Sequence, residues 1–450
     1  MSIKPQLNRF DLTMIVIGLV IGMGIFATPS EVAIKAGNAW IFFDAWIFGG
    51  LVSLCGALTF AEIGARFPVT GGFYKVFSYC YHPAIAFMIN WVLVISNAAS
   101  VAAVALIGSD YMRPFLLPAS LQNDLGTKII TITSVAILYV INFLGIKMSA
   151  RTQNVLMMFK IGLILLICLA VFNSGAPPVV INAVPHTGSV VTAFGLSLVA
   201  VFFTYGGYQQ TINFGGDIIN AKTNIPKGIA VGIVVVLFLY LSVNYAYFHV
   251  LGIGGLQQRP ALAAKMIEVI FGATGYKITS ILIFLSVLAY VNVNVLANPR
   301  VYYAMAEDGI LPPIFKKVNP KTQVQEFGMS FFIAAIILVL FFVAKFSDML
   351  KYVMFFDTIG LSMAAVAIFL LRKKTKHLDG TGIYTIKWFP LVPAIFIISY
   401  WFVTINIFIT FRENPYAALI CLAAYALGLV IYYACTYKKS TNAIKLKKPS

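Results

Sequence analysis

Charge is scarce in this chain. Only 10% of its 450 residues are Asp, Glu, Lys or Arg, against about 25% in a soluble domain, so the polar surface needed to meet water on every side is missing. Histidine is scarcer: His82, His186, His249 and His377 are the full set, and all fall at the ends of apolar segments or between them. No HExxH or GxSxG run occurs, which removes the zinc-hydrolase and serine-hydrolase signatures an intramembrane enzyme would carry. The five cysteines, Cys55, Cys80, Cys168, Cys421 and Cys435, have neither metal-ligand spacing nor the pattern of a disulfide framework. Four of them lie in apolar segments and Cys80 in a predicted inner loop. Neither a repeated filter sequence nor a ring of like charge marks an ion channel. No enzyme activity, cofactor or metal is expected.

What the chain has is long apolar runs: 60% of the residues are hydrophobic and the mean hydropathy is +0.90. Runs of about 20 residues, enough to cross a bilayer, lie at 11–35, 40–63, 84–109, 128–146 and 153–173. After a polar gap from Asn173 to Ser189 they resume at 190–214, 228–251, 276–303, 328–345, 350–371, 388–411 and 416–436. The short run at 261–272 is expected as a small helix outside the span. The first apolar stretch continues as a full-length span, so MSIKPQLNRFD is not read as a cleavable signal.

The net charge of +17 raises nucleic acid as a partner, but its distribution argues otherwise. With an even number of spans both termini share one side. Over two thirds of the 32 basic residues then fall on that side, as cytoplasmic loops of membrane proteins require. Both termini are expected in the cytoplasm of a multi-pass protein of the cell membrane, with a secondary hold on anionic lipid and no nucleic acid.

Two spans are interrupted at their centres. The first reads DLTMIVIGLVIGMGIFATPSEVA, with Gly18, Gly22 and Gly24 in its middle; the sixth reads AFGLSLVAVFFTYGGYQQTINF, with Gly206 and Gly207. Each glycine costs a helix about 1 kcal/mol relative to alanine. Close helix packing would explain one such span, but corresponding breaks in two halves point to an inverted-repeat transporter with a midplane site. Backbone unwound there must line a cavity or bind a ligand. Freed amides suit a carboxylate and freed carbonyls an ammonium group, and an amino acid carries both. The expected fold is an all-α polytopic membrane protein of about twelve transmembrane helices. Its parts are an inner N-terminus at 1–10, a first five-helix repeat at 11–173 and an inverted second repeat at 190–345 with helix 10 at 350–371. Two further helices span 388–436, and a basic tail follows at 437–450.

The segment GMGIFATP resembles the first-helix signature of the amino acid–polyamine–organocation superfamily. FAEIGARFPVTGGFY (60–74), FTYGGYQQTINFGGDIINAKTNIPKGI (203–229) and ANPRVYYAMAEDGILP (297–312) are similar, in the right order, to segments of its L-type amino acid transporter branch. The resemblance covers residues 8–375. It implies that backbone amides of Gly22, Met23, Gly24 and Ile25 receive the substrate carboxylate. Carbonyls of Phe203, Thr204, Tyr205 and Gly206 would receive the amino group, with Phe203 as an aromatic gate. Met23 stands where the family has serine or alanine, which removes a hydroxyl and narrows the pocket.

Lys160, inside the fifth span, is costly at mid-membrane by about 2.5–3.5 kcal/mol unless it snorkels to the inner surface. The resemblance implies that its ammonium takes the place of the sodium ion of sodium-coupled relatives. Helix 8, around VNVNVLANPR, lacks the neighbouring hydroxyls of a sodium site. Asn292 and Asn294 on that helix either support the site or bond between helices. Asp357, toward the outer part of helix 10, pairs with a lysine, contacts a cationic substrate or sits in a wet vestibule, the last being the first expectation. Glu62 with Arg66, and Arg300 with Glu307 and Asp308, are expected as structural ion pairs at inner helix ends. GGD at 215–217 stands where the branch has two glutamates, an altered inner anchor. The resemblance implies that a disulfide-linked heavy chain would attach through a cysteine between helices 3 and 4; Ser109 to Thr127 contains none, so no such partner is expected and the chain is read as a monomer. The function implied is sodium-independent secondary transport of amino acids, neutral L-amino acids first, as exchanger or proton-coupled symporter. A cationic amino acid or polyamine permease and a sodium-coupled symporter of the same fold are the alternatives.

Overall fold

The structure is a computed structural model that describes residues 4–170, 184, 189–258, 262–341, 346–410 and 415–445. His186, Arg259, Lys345, Arg412, most of the polar gap at 173–189 and the end of the basic tail lie outside the described residues. So does the side chain of Cys435.

Fourteen α-helices follow one another among the described residues: α1 (Arg9–Val20), α2 (Gly24–Ala36), α3 (Ala39–Arg66), α4 (Gly72–Cys80), α5 (Pro83–Leu116), α6 (Asp124–Phe143) and α7 (Ile146–Ala170) in the first half. The second half holds α8 (Val190–Tyr205), α9 (Ala221–Gln257), α10 (Leu262–Glu307), α11 (Glu326–Leu340), α12 (Phe346–Lys374), α13 (Leu391–Thr410) and α14 (Pro415–Lys445). Among the described residues ten stretches are long and apolar enough to cross a membrane, α1 with α2 counting as one, and Glu326–Leu340 and Leu419–Ala434 are shorter apolar helices. Together they make twelve, the polytopic all-α membrane protein expected.

Local chemistry sets where several helices start. Asn8 caps α1 through the Asp11 amide while the Asp11 carboxylate receives the Asn8 amide, a reciprocal capping box. Asn38, Asn123 and Ser189 cap α3, α6 and α8 through side-chain oxygens, satisfying amides that would otherwise be orphaned. The apolar runs underestimate the helices. α7 begins at Ile146 rather than 153, and α9 extends at both ends, because helices continue past the hydrocarbon where polar side chains reach water. The helix at 262–271 turns at Gly272, φ 66°, into the eighth span, close to the separate small helix expected. The loop holding Cys80 contains α4, a short helix unmarked by span length, and Cys80 is buried at its end.

α1 packs on α9 and α7, α2 on α8, α3 on α9 and α8, and α10 on α7 and α5. The two broken helices are thus packed against α3, α7, α9, α10, α12 and α13.

The face that carries the N-terminus is laced with buried ion pairs. Glu62 receives Arg66 at 2.6 Å and Arg372 at 2.7 Å, and also the amide of Ile386 at 2.8 Å. Arg66 reaches on to Asp379 at 2.8 Å, which holds that carboxyl below the usual aspartate range, chiefly through this hydrogen bond. Arg300 pairs with Asp217 at 2.7 and 3.0 Å and lies over the Phe214 ring. The segment read as an altered anchor therefore still anchors α10, through one carboxylate. Glu307 and Asp308 pair instead with Lys75. Leu7 pairs backbone with Ile218, and Thr70 with Phe214, so the chain before α1 and the chain after α8 are stitched together.

Candidate functional site

Between Val20 and Gly24 the first span leaves helical geometry. The Ile21 amide still reaches Ile17, and the Gly22 amide turns back to the Val20 carbonyl at 2.9 Å. The amides of Met23, Gly24 and Ile25 have no hydrogen-bond partner among the described residues, as expected of the first turn of a helix. Of the four amides expected to receive a carboxylate, Gly22 is thus already engaged. In the sixth span α8 ends at Tyr205. Gly207 then adopts φ 115°, and a Cβ there would lie 2.2 Å from the Leu19 carbonyl oxygen, so only glycine fits. Gly24 has the complementary role: a Cβ would meet the Thr204 side chain at 2.9 Å and its Cα at 3.1 Å. The breaks face each other because the two backbones touch.

Three contacts fix that approach. Thr28 and Thr204 share a 2.6 Å hydroxyl contact, and each also bonds a carbonyl of its own helix. Tyr240 of α9 places its hydroxyl 3.1 Å from the carbonyls of both Val20 and Thr204. Lys160 of α7 is fully buried and its Nζ donates to the Ile21 carbonyl. It does not snorkel, and no carboxylate pairs with it among the described residues.

A central cavity of about 40 Å³ lies between the breaks, room for a few waters. Gly22, Met23, Gly24, Phe203, Thr204 and Gly206 line it. Ile25 and Tyr205 are buried and are not among its lining residues, Tyr205 reaching the Trp46 carbonyl at 3.4 Å. Met23 also lines a larger vestibule of about 490 Å³ on the opposite side from the N-terminus, so this side chain stands between the two spaces; Phe203 lines only the inner one.

Asn292 and Asn294 lie outside the cavity. Asn292 ties helices together, accepting from Asn142 at 2.7 Å and donating to Gln153 at 2.9 Å, while Asn294 donates to the Tyr290 carbonyl of its own helix.

The remaining wall is polar and was not anticipated. Ser100 meets the Tyr290 hydroxyl at 2.9 Å, and Asn97 joins Asn298 at 2.9 Å and Gln210 at 3.5 Å. Asp357 belongs to this wall, not to an outer vestibule: it lines the central cavity and a second cavity beneath it. The reason is packing, since α12 lies along α5 and brings Asp357 beside Ser96, 3.4 Å away. Polar residues at 96, 97 and 100 within one apolar span were the available signal.

The paired helix breaks present free amides and carbonyls of the kind that complement a small zwitterion. Among the described residues no group of three His, Cys, Asp or Glu could hold a metal. The family model described as amino acid permease matches residues 7–435. The chain is 29% identical to the serine/threonine exchanger SteT of Bacillus subtilis (strain 168), over 98% of this chain and 99% of that protein. It is 26% identical to the branched-chain amino acid permease BcaP of the same organism, over 98% and 94%. It is 24% identical to the large neutral amino acids transporter small subunit 2 of Oryctolagus cuniculus, over 97% and 81%.

Proposed function

The chain belongs to the amino acid permease family, and from that premise we propose that it is a sodium-independent secondary transporter of α-amino acids. The substrate carboxylate is received by the free amides at Met23 and Gly24. The ammonium group is received by carbonyls of Phe203, Thr204 and Gly206, so the backbone selects the α-amino acid and leaves the side chain to the cavity wall. Gly22 contributes space beside Tyr290, where a Cβ would come within 3.1 Å of the ring. Transport proceeds by alternating access in the cell membrane, with both termini cytoplasmic. The ion pairs around Glu62 and Asp217 then form the inner closure, and Met23 the outer one. The chain works without a disulfide-linked partner.

The observation that carries sodium independence is the Lys160 ammonium on the Ile21 carbonyl. A fixed cation already balances the unwound carbonyl that a bound ion would otherwise serve. Its attachment at the break itself couples α7 to the state of the first helix.

The test is counterflow of labelled amino acids into proteoliposomes, with sodium fully replaced by choline, and with and without an imposed pH gradient. Undiminished counterflow in choline is expected. Loss of uptake on sodium removal would overturn the sodium-independent reading, and absence of counterflow by any amino acid would overturn the whole. Stimulation by an inward proton gradient assigns symport; strict dependence on internal substrate assigns exchange.

A further inference from the structure

Among the described residues Asp357 has no counter-charge: its one hydrogen-bond partner there is the hydroxyl of Ser96, at 3.4 Å, and no ion pair includes it. Neither the central cavity nor the one beneath it has a lysine, arginine or histidine in its lining. The basic group closest to the breaks, Lys160, is turned to Ile21. An uncompensated charge removed from bulk water is costly, and a well-placed cation offsets part of that cost.

Its position suits a ligand rather than a structural partner. Asp357 lines both cavities together with Asn97, Gln209, Gln210 and Leu361, so it stands where the two spaces meet. An amino acid held by its α-groups at the breaks has its side chain directed at this wall, with the lower cavity giving it length. The approach also carries negative charge. In the outer vestibule Asp110 is paired with Arg113 at 3.1 Å, but Glu31, which also lines it, forms no ion pair among the described residues. Acidic lining without compensation attracts cations and raises their local concentration.

We propose that Asp357 is the side-chain selectivity residue of the central cavity, and that the preferred substrates are α-amino acids bearing a second, side-chain amine. The proposal rests on the α-amino acid reading of the site. It places a charge-assisted hydrogen bond from the substrate's side-chain ammonium on the free oxygen of Asp357, with Ser96 orienting the other. Neutral residues of the same length leave that oxygen unpaired and are disfavoured.

The experiment compares lysine and ornithine with norleucine, their neutral counterpart, as competitors of counterflow in proteoliposomes. Wild type, Asp357→Asn and Asp357→Glu are each reconstituted. The wild type is expected to favour the diamino acids by about tenfold or more. Asp357→Asn should collapse the lysine-to-norleucine ratio by a similar factor, and Asp357→Glu should keep most of it. Neutral substrates preferred by the wild type, or a ratio unmoved in Asp357→Asn, would overturn the proposal while leaving α-amino acid transport standing. Equal loss of all substrates in Asp357→Asn, with wild-type norleucine and lysine uptake alike driven by a pH gradient, would also overturn it, since Asp357 would then carry the proton. Absence of counterflow with every amino acid would instead remove the underlying reading. Should Asp357→Asn fail to fold, thermal stabilisation of the wild type by lysine but not norleucine gives the same decision.

Discussion

Tyr240 donates its hydroxyl toward the Thr204 carbonyl at 3.1 Å, and the same oxygen lies 3.1 Å from the carbonyl of Val20. One proton is offered to two acceptors, one on each broken helix. The helix that bears it, α9, therefore senses both breaks at once, although nothing in its own sequence is interrupted there.

Tyr240→Phe removes that link without changing the ring's packing. A single neutral hydrogen bond is worth about 0.5–1.5 kcal/mol, so the variant should fold with a slightly lower melting temperature. Counterflow should fall severalfold more than stability does. Parallel assays of thermal unfolding and counterflow check this; wild-type counterflow would show that the hydroxyl only fills space.

Lys160→Ala should express, insert and lose transport. Lys160→Arg is a sharper variant, because the guanidinium keeps the charge but cannot fit a fully buried site shaped for an ammonium group. Near-normal uptake by Lys160→Ala, measured in the same vesicles, would remove Lys160 from the coupling machinery.

Gly24→Ala drives a methyl group into Thr204. Overpacking of this kind costs about 1–3 kcal/mol, and Thr204→Ala should relieve part of it. A double-mutant cycle on melting temperature reads the coupling; additive effects would mean the two backbones do not press on each other.

Glu62→Gln leaves two arginines around a neutral amide. Removing one partner of a buried ion pair costs about 3–5 kcal/mol, the largest loss expected of these variants. Asp379→Asn should be much milder, since that carboxylate is half exposed. The sign with pH follows: the Asp379 carboxyl is held down by Arg66, so its contribution is complete above the ordinary aspartate value of about 3.9. It is lost as pH falls through the lower folded value. Thermal unfolding between pH 3 and pH 7 should show the wild type losing more on acidification than Asp379→Asn.

The span count and the two breaks were legible because length, hydropathy and glycine spacing are local properties of the chain. Lys160 was legible for the same reason: a lone charge in an apolar run stands out. Tyr240 was not, since tyrosine is common here and only tertiary contact shows where its hydroxyl ends. Asp357 was misplaced because position along a helix gives depth but not facing, and facing depends on how α12 lies against α5. Met23 was read as a narrower pocket; its place between two cavities required the fold. Asn292 remained open between two roles until Asn142 and Gln153 came within reach of it.

The hydroxyl contact between Thr28 and Thr204 has a mechanical consequence. It clamps α2 to α8, segments separated by most of the first half of the chain, into a single lever arm. The unwound residues 21–23 and 206–207 flank the clamp on each helix. The anchoring points proposed for the substrate abut these two segments, so on that proposal the cargo bears directly on the hinge.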